Sequence, residues 1–274
     1  MNIPKIIHQS GKTKFENLPE EDRGRIDLLK KNHPDWEYKY WTDEDNYNLI
    51  ADHYPWFLPC YNAYKWPIQQ ADAVRVFYMH KYGGVYLDLD MFSLQPMDEL
   101  FHRVLENDCQ YLYNPSSSRG VLLFEEYPNA FNVQNALYNA IMASEPGHAF
   151  WILCFFLLQE FNKSRLRIDQ AKESRVFSTT GPKFLHEAFK RYINSSEKPE
   201  VSVLPYFYTN PVCLPKKDSD NQLVLFNKFN IASLFSLSGG SHWTSPPSEY
   251  LNKALVPDSY FIHQSKRTWT ADLN

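Results

Sequence analysis

The sequence predicts an α/β fold, because segments typical of strands and segments typical of helices alternate along its first third. The predicted elements in this part are strands at 3–8 and 36–41 and helices at 19–31, 42–53 and 67–82. Pro67 suits the first position of the last helix, and Gly83 or Gly84 suits its end. Helices that alternate with strands in this way are expected to cover a sheet.

A strand over 83–91 follows that last helix and organises the prediction of a site. Alternation along it would direct four apolar side chains into the core, those of Val85, Leu87, Leu89 and Met91. Tyr86, Asp88 and Asp90 would share the other face. Asp-x-Asp by itself is common in solvated loops. Here it follows an apolar strand, two glycines and a patterned helix, and a bound cation would relieve the repulsion between its carboxylates.

Asp72 and Arg75 lie three residues apart on the predicted helix and therefore share a face. An exposed ion pair is the simplest interpretation, and it would contribute at most about 1 kcal/mol to stability. The same face also carries Ala71, Val76 and Met79, which indicates partial burial. A role in a site is therefore plausible for this pair.

The second half has weaker patterns. They predict strands at 110–113, 120–124, 201–208 and 259–264, helices at 134–143, 150–161 and 183–192, a turn at 93–96, and polar loops at 216–221 and 236–247. We interpret the apolar stripe over 150–158 as core. No internal repeat is evident.

Composition excludes several classes of function. The chain has 274 residues, a net charge of −4 and no basic run, so nucleic acid is not an expected partner. The four cysteines are scattered without a Cys-x-x-Cys spacing, which favours free thiols over disulfides or a zinc site. The longest apolar run, 149–158, is about half of what spans a bilayer. With no signal-peptide pattern at the start, we expect no transmembrane segment and a soluble, cytoplasmic protein.

The combination Asp72-x-x-Arg75 and Gly83-Gly84-x-Tyr86-x-Asp88-x-Asp90 resembles the core motif of the family 32 glycosyltransferases. This is the sugar-transferase group with an Asp-x-Asp signature. The segments 3–9 and 40–43 resemble the family's first strand and the end of its second. The resemblance is strong over about 1–100 and weaker at Asn139, 146–148 and 180–182. The motif spacing is also similar to that of the clostridial glucosylating toxins.

The resemblance implies a GT-A fold, with a Rossmann-like mixed sheet flanked by helices and a smaller acceptor-side region. A single domain over 1–274 is expected, with a nucleotide-sugar half at 1–100 and an acceptor and metal half at 101–274. It further implies a divalent cation, Mn²⁺ or Mg²⁺, and a nucleotide-sugar donor whose anomeric configuration is retained. A hard divalent cation suits this chemistry, since it neutralises the charge of a sugar diphosphate.

The resemblance also implies roles for the motif residues. Asp90 would be the direct carboxylate ligand of the metal, and Asp88 would lie near the ribose or hold the metal through water. Asp72 and Arg75 would bind hydroxyl groups of the donor sugar, for which a carboxylate and a guanidinium are well suited. Tyr86 would support the phosphate or the sugar. Asp72, Arg75, Asp88 and Asp90 are thus the candidate catalytic residues.

A histidine near the C-terminus is the predicted third metal ligand. The family places one before a small hydroxyl residue and a tryptophan, which here would be His263, Thr268 and Trp269. A lone histidine beside Phe261 and Ile262 is often a core or surface residue instead. His242 is an alternative ligand, but it lacks the trailing pattern.

Further donor contacts are predicted around the nucleotide. His8 and Trp41 could line the base pocket, although a core role suits Trp41 equally well. Asn139 is a candidate sugar or phosphate contact, and Trp269 belongs to the same predicted set. Lys266 and Arg267 could contact the diphosphate or form a solvated tail.

Several alternatives remain open at this stage. A UDP-sugar is the favoured donor, with GDP-mannose as the alternative, and the acceptor could be a glycan, a lipid or a protein. Retention could arise by front-face transfer or through a covalent intermediate; front-face transfer is favoured because no further nucleophile is evident. A non-catalytic sugar-binding module is the rival of another class. An Asp-x-Asp phosphatase is disfavoured by the late position of the motif and by Phe92. The lack of an anchor suggests a bacterial-type or viral source.

Overall fold

A computed structural model describes residues 2–113, 120–126, 137–163, 171–197, 199–209, 216–217, 223–224 and 258–263. Its strands are β1 Ile6–Ser10, β2 Glu37–Trp41, β3 Gly84–Leu87, β4 Met91–Ser93, β5 Val121–Phe124, β6 Ile141–Ser144, β7 Val201–Leu204, β8 Lys216–Lys217, β9 Leu223–Val224 and β10 Phe261–His263. Its α-helices are α1 Glu20–Asn32, α2 Asp43–His53, α3 Leu58–Asn62, α4 Pro67–Tyr82, α5 Met97–Leu105, α6 Ala149–Lys163, α7 Lys172–Thr179 and α8 Pro182–Ser195.

Six strands form one mixed sheet in the order β2-β1-β3-β6-β5-β7. β1 pairs in parallel with β2 and β3, and β5 pairs in parallel with β7. β6 is antiparallel to both of its neighbours, β3 and β5. The carboxyl ends of β1, β2, β3, β5 and β7 therefore meet at one edge of the sheet, where β6 begins. Ligands of open α/β sheets bind at that edge.

Apolar side chains cover both faces of this sheet. One cluster combines residues from α2, α4, α6 and α8, and it includes Phe77 and Trp151, which are fully buried. The other combines residues from α1 and α5, such as Leu29 and Leu100. The α/β prediction is therefore confirmed, with helices packed on both faces of a mixed sheet.

The helix that carries Asp72 and Arg75 is confirmed with its predicted bounds. α4 begins with Pro67 at its first turn, and the Trp66 amide donates to Gln69 Oε1 at 3.3 Å. The helix ends at Gly83, which has φ of 63°, and Gly84 follows with φ of 83°. A Cβ atom on Gly83 would lie 2.6 Å from the Ser144 carbonyl oxygen. The two glycines thus allow the chain to leave α4 and enter β3 without a clash.

The prediction of one continuous strand over 83–91 is wrong. β3 ends at Leu87, and a turn follows in which the Met91 amide donates to the Asp88 carbonyl at 3.1 Å. Met91 then begins β4, which pairs with β10 in a separate two-stranded sheet. Leu89 is consequently only half-buried at the turn, whereas Met91 is buried. The chain passes from one sheet to the other over residues 88–90. This change of direction needs a turn, which a continuous strand could not provide.

Several predictions in the second half also need correction. The helix over 134–143 is wrong in its described part, because 141–144 is strand β6. Residues 110–113 are not a strand, and only Tyr113 forms an isolated bridge, with Val203. The strand over 201–208 ends at Leu204, and a 3-10 turn follows at Tyr206–Tyr208. In the predicted loop over 216–221, Lys216–Lys217 is β8, which pairs with β9.

The turn predicted at 93–96 is wrong at Ser93, which belongs to β4. The strand over 120–124 is confirmed as β5, Val121–Phe124. The helices over 150–161 and 183–192 are the cores of α6 and α8, and the last strand is β10. Cys60, Cys109 and Cys154 are free thiols. The loop over 236–247 and Cys213 lie outside the described residues. In the described part of the chain, none of the helices has the length and hydropathy needed to cross a bilayer.

Candidate functional site

Asp72 and Arg75 form a buried ion pair on one face of α4. Arg75 Nη2 lies 3.1 Å from Asp72 Oδ1, and the two side chains are 8% and 7% exposed respectively. Thr180 Oγ1 donates to Asp72 Oδ2 at 3.3 Å, and Asn139 Nδ2 donates to Asp72 Oδ1 at 3.3 Å. Asp72 therefore accepts hydrogen bonds through both of its oxygens, from residues far apart in sequence. Such contacts stabilise a carboxylate that burial would otherwise disfavour.

Arg75 connects this pair to the Asp-x-Asp motif. Its Nη2 atom also lies 3.1 Å from Asp88 Oδ1, and its Nη1 donates to the Asn139 carbonyl at 2.9 Å. The guanidinium sits 4.7 Å from the centre of the Tyr86 ring, and Tyr86 Oη donates to Asp88 Oδ1 at 2.7 Å. Arg75 Nε is buried without a hydrogen-bond partner in the described part of the molecule. One donor of this side chain thus remains unsatisfied, which is costly for a buried polar group.

Asp90 lies beside His263, which is 173 residues later in the sequence. His263 Nε2 is 2.9 Å from Asp90 Oδ1. This approach follows from the pairing of β4 with β10, in which His263 is opposite Met91, the residue after Asp90. On the other side of the imidazole, Tyr138 Oη contacts His263 Nδ1. The ring is therefore held between a carboxylate and a phenol.

The three side chains of Asp88, Asp90 and His263 fit a divalent cation. One potential ligand atom from each lies within 4.8 Å of the other two. Two carboxylate oxygens and an imidazole nitrogen form a donor set that suits Mn²⁺ and related ions. The structure thus brings together the three residues predicted as metal ligands.

The amino end of β6 contributes a second side to the site. Tyr138 contacts His263, Asn139 contacts Asp72 and Arg75, and the Ala140 carbonyl accepts from the Asp88 amide at 2.9 Å. Three consecutive residues therefore touch both the ion pair on α4 and the aspartate cluster. This is possible because β6 runs opposite to β3, so its first residues lie beside the last residues of β3.

Burial and the nearest opposite charge have opposing effects on the pKa values of Asp72, Asp88 and His263. Burial raises the pKa of Asp72 to about 6, although Arg75 acts to lower it. Burial also raises the pKa of Asp88, again against Arg75, and the charge of Asp90 adds to the increase. For His263 burial favours the neutral ring, but Asp90 outweighs it and raises the pKa. A cation bound here would have to compete with a proton on His263.

His8 occupies a structural position between β1, β2 and the end of α4. Its side chain is completely buried. Its Nδ1 accepts from Trp41 Nε1 at 3.1 Å, so the ring is neutral and Nε2 donates to the Gly83 carbonyl at 3.0 Å. Burial lowers the pKa of His8 to about 4, which agrees with a neutral ring. This position gives no support to the contact with a base that was predicted for His8.

Trp41 is half-buried at the carboxyl end of β2, and its ring stacks on Tyr78 at 4.8 Å. Its role as a base contact stays a prediction. Trp269, Thr268, Lys266, Arg267 and His242 lie outside the described residues.

Sequence reasoning did not single out four residues that touch the site or its backbone. They are Gln9, Arg25, Tyr138 and Thr180, although the segment containing Thr180 belongs to the resemblance. Glu126 was also missed; it is buried at the end of β5, and its charge contributes to the raised pKa of His263. Each of these residues acts through a tertiary contact, and no local spacing in the sequence indicates such contacts.

Comparison with known proteins finds a family match in the region that contains the Asp-x-Asp motif. Residues 19–106 match the family described as glycosyltransferase sugar-binding region containing DXD motif. Inositol phosphoceramide mannosyltransferase 2 of Schizosaccharomyces pombe is 33% identical over 244 residues, which are 88% of this chain and 58% of that protein. Mannosyl phosphorylinositol ceramide synthase CSH1 of Saccharomyces cerevisiae is 30% identical over 257 residues, 91% of this chain and 55% of that protein.

The chain therefore spans a little over half the length of these relatives. Both come from yeasts, which gives no support to the expected bacterial-type or viral origin. Among solved structures, the PaToxG glycosyltransferase has a TM-score of 0.45 at 15% identity, over 70% of each chain.

Proposed function

We propose that this chain transfers a hexose from a nucleotide-sugar donor with retention of configuration. The match of residues 19–106 to the family described as glycosyltransferase sugar-binding region containing DXD motif supports the reaction class. The observation that carries the proposal is the junction of two clusters through Arg75, which contacts both Asp72 and Asp88 at 3.1 Å. A sugar bound at the first cluster would lie next to a diphosphate bound at the second. Such an arrangement suits cleavage of the bond between them.

The donor sugar would bind to the group around Asp72. A diol offers two donors and two acceptors, which match the carboxylate of Asp72, the amide of Asn139 and the guanidinium of Arg75. The unsatisfied Arg75 Nε supports this assignment, since a ligand oxygen would supply the acceptor that the described residues do not.

A divalent cation would be held by Asp88, Asp90 and His263, whose ligand atoms lie within 4.8 Å of one another. When bound, such an ion neutralises charge on a diphosphate leaving group. Mn²⁺ and Mg²⁺ are both compatible with the oxygen ligands, and the imidazole favours Mn²⁺. Tyr138 and Arg75 would hold His263 and Asp88 in place from the protein side.

For the donor, we prefer GDP-mannose, the alternative in the sequence analysis, over the UDP-sugar that was favoured there. The names of the two fungal relatives describe mannosyl transfer to inositol phosphoceramide. We therefore propose mannose as the transferred sugar and an inositol phosphoceramide or a similar glycolipid as the acceptor. A UDP-sugar is the alternative donor.

We favour front-face transfer. In this reaction the bond between the anomeric carbon and the phosphate oxygen breaks, the acceptor oxygen bonds to the same face, and its proton passes to the leaving phosphate. Asp72 is a poor candidate for a covalent nucleophile, because both of its oxygens already accept hydrogen bonds and burial raises its pKa to about 6. Its role would be to orient the sugar, which is a substantial source of rate acceleration.

Nucleotide release from a panel of GDP- and UDP-sugars with Mn²⁺, in the absence of acceptor, tests this proposal. We expect release from GDP-mannose, and we expect EDTA and Asp90→Asn to abolish it. Asp108→Asn is the matched control, because the Asp108 side chain is 80% exposed and outside the site. If no donor is cleaved or bound, the transferase proposal is wrong. Donor binding without cleavage, even with an inositol phosphoceramide added, would instead indicate a binding module.

A further inference from the structure

The turn between Asp88 and Asp90 is held by two side chains that lie outside the motif. Gln9 Nε2, at the end of β1, donates to the Asp88 carbonyl at 3.0 Å. Arg25 Nε, on α1, donates to the Leu89 carbonyl at 3.0 Å. Both carbonyl groups within the Asp-x-Asp sequence therefore accept a hydrogen bond from a different element of the fold.

Arg25 is itself fixed in place from several directions. Its side chain is 2% exposed, and its guanidinium pairs with Glu21 at 2.6 Å and with Asp22. The guanidinium also lies 5.2 Å from the centre of the Phe92 ring, just beyond the turn. An arginine with so little freedom presents its Nε donor at a defined point, whereas a flexible surface side chain would not.

The carbonyl that accepts from Arg25 lies directly before Asp90 in the chain. The Leu89 carbonyl and the Asp90 amide nitrogen belong to one planar peptide group. A hydrogen bond to the carbonyl oxygen therefore restrains the orientation of the peptide plane that precedes the Asp90 Cα atom. Asp90 then reaches His263 Nε2 at 2.9 Å. Without such a contact, repulsion between Asp88 and Asp90 would favour turn conformations that separate the two carboxylates.

We propose that Arg25, together with Gln9, is a positioning residue that holds the Asp-x-Asp turn in the conformation that binds a divalent cation. Neither residue needs to touch the cation or the donor. The inference rests on the proposed function, because it assumes that Asp88, Asp90 and His263 bind Mn²⁺. Outer residues that orient metal ligands typically contribute 10- to 100-fold to metal affinity.

Direct titration with Mn²⁺, without any sugar nucleotide, tests this role. Arg25→Lys keeps the charge beside Glu21 and Asp22 but loses the Nε donor to Leu89. We expect its Mn²⁺ affinity to fall by about 10- to 100-fold. Arg23→Lys is the matched control on the same helix, because Arg23 Nη1 donates to the Leu18 carbonyl at 2.8 Å, away from the turn. Its affinity should not change.

A double-mutant cycle separates positioning from a general loss of structure. If Arg25 acts through Asp90, Arg25→Lys should cause much less further loss of Mn²⁺ affinity in an Asp90→Asn background. Full additivity of the two losses would overturn the proposal. Thermal unfolding of each variant reports whether it is folded. If Arg25→Lys does not fold, Gln9→Met decides the question together with Tyr38→Phe as its control, since Gln9→Met removes both the donor to the Asp88 carbonyl and the acceptor of the Tyr38 hydroxyl.

The outcomes also distinguish this inference from the function on which it rests. Wild-type protein that binds neither Mn²⁺ nor a nucleotide-sugar contradicts both. Wild-type protein that binds Mn²⁺ while either folded variant, at Arg25 or at Gln9, binds it equally well contradicts only the positioning role.

Discussion

The two charged clusters of the site differ in how their charges are balanced. Asp72 and Arg75 are 7% and 8% exposed, and they compensate each other within the protein. Asp88 and Asp90 are 25% and 17% exposed, and these like charges converge with His263 on one point. We call the first the closed pair and the second the open cluster. The closed pair unites opposite charges, whereas the open cluster places two carboxylates beside one imidazole.

This difference predicts that the closed pair serves the fold as well as the donor, whereas the open cluster mainly serves a ligand. A buried charge without its partner is strongly destabilising, so the closed pair should contribute to stability. Like charges that converge repel each other, and a bound cation relieves that repulsion. The predictions that follow test this contrast from its largest expected effect to its smallest.

Arg75→Met should destabilise the protein by about 3–5 kcal/mol, because it leaves Asp72 buried without its cation. Arg191→Met is the matched control: Arg191 is 42% exposed and pairs with Glu187 and Glu160 at the surface. Its loss should cost less than about 1 kcal/mol. Urea unfolding of both variants gives the comparison. Equal losses would remove the distinction between the closed pair and an ordinary surface pair.

Asp90→Asn should show the reverse pattern. We expect Mn²⁺ affinity to fall by at least about 100-fold, because a direct carboxylate ligand is replaced by a weaker amide. The free energy of unfolding should change by less than about 1 kcal/mol, since relief of repulsion from Asp88 offsets the lost contact with His263. Titration calorimetry and urea unfolding measure the two quantities. A large loss of stability with unchanged Mn²⁺ binding would contradict the assignment of the open cluster.

Tyr138→Phe tests whether the open cluster depends on the phenol behind His263. The substitution removes the hydroxyl that contacts Nδ1 but keeps the ring, which lies 5.3 Å from the imidazole. Mn²⁺ affinity should fall by about 10-fold, at the lower end of the range for residues that orient a metal ligand. Tyr111→Phe is the control, because Tyr111 Oη donates to the Val104 carbonyl away from the site. An equal effect of both substitutions would argue against a specific role for Tyr138.

The pH dependence of donor binding tests how the ionisation of Asp72 in the closed pair affects donor affinity. The pKa of Asp72 is raised to about 6, so its carboxylate forms as the pH rises through that value. Donor affinity should therefore increase between about pH 5 and pH 7. The contribution of this group to folding stability has the opposite sign: it is present below the unfolded pKa and is lost as the pH rises through about 6.

Thr180→Val should move this midpoint upward by a fraction of a pH unit. The Thr180 hydrogen bond lowers the pKa of Asp72, and its removal leaves the effect of burial less opposed. Ser178→Ala is the control, because Ser178 Oγ donates to the Arg175 carbonyl within α7. Donor titrations at several pH values measure both variants. A downward shift, or the same shift in the control, would contradict the role given to Thr180.

Most elements up to the end of α4 could be predicted because their signals are local. The bounds of α4 follow from Pro67 and Gly83, and its shared face for Asp72 and Arg75 follows from their spacing. The strand β6 was missed because Ile141–Ser144 is a short apolar run, for which periodicity does not separate helix from strand. Its place between β3 and β5 is decided by tertiary pairing.

The charged residues of the candidate site could be predicted, whereas the residues that hydrogen-bond to its backbone could not. Asp72, Arg75, Asp88 and Asp90 form a motif within nineteen positions of sequence, 72–90, so chemistry and spacing point to them together. Gln9 and Arg25 act on the same turn from distances of 79 and 64 residues. Their partners are backbone carbonyls, which carry no residue-specific signal. Contacts of this kind require the fold itself.

The pairing of β4 with β10 has a consequence for how the protein is made. His263 meets Asp90 across 173 residues, so the strand that delivers it emerges from the ribosome long after the Asp-x-Asp turn. The nascent chain can build β1, β2, β3 and α4 early, since these lie within its first third. The cluster of Asp88, Asp90 and His263 stays incomplete until β10 has been synthesised. Any binding that needs all three side chains must therefore wait until β10 has been made.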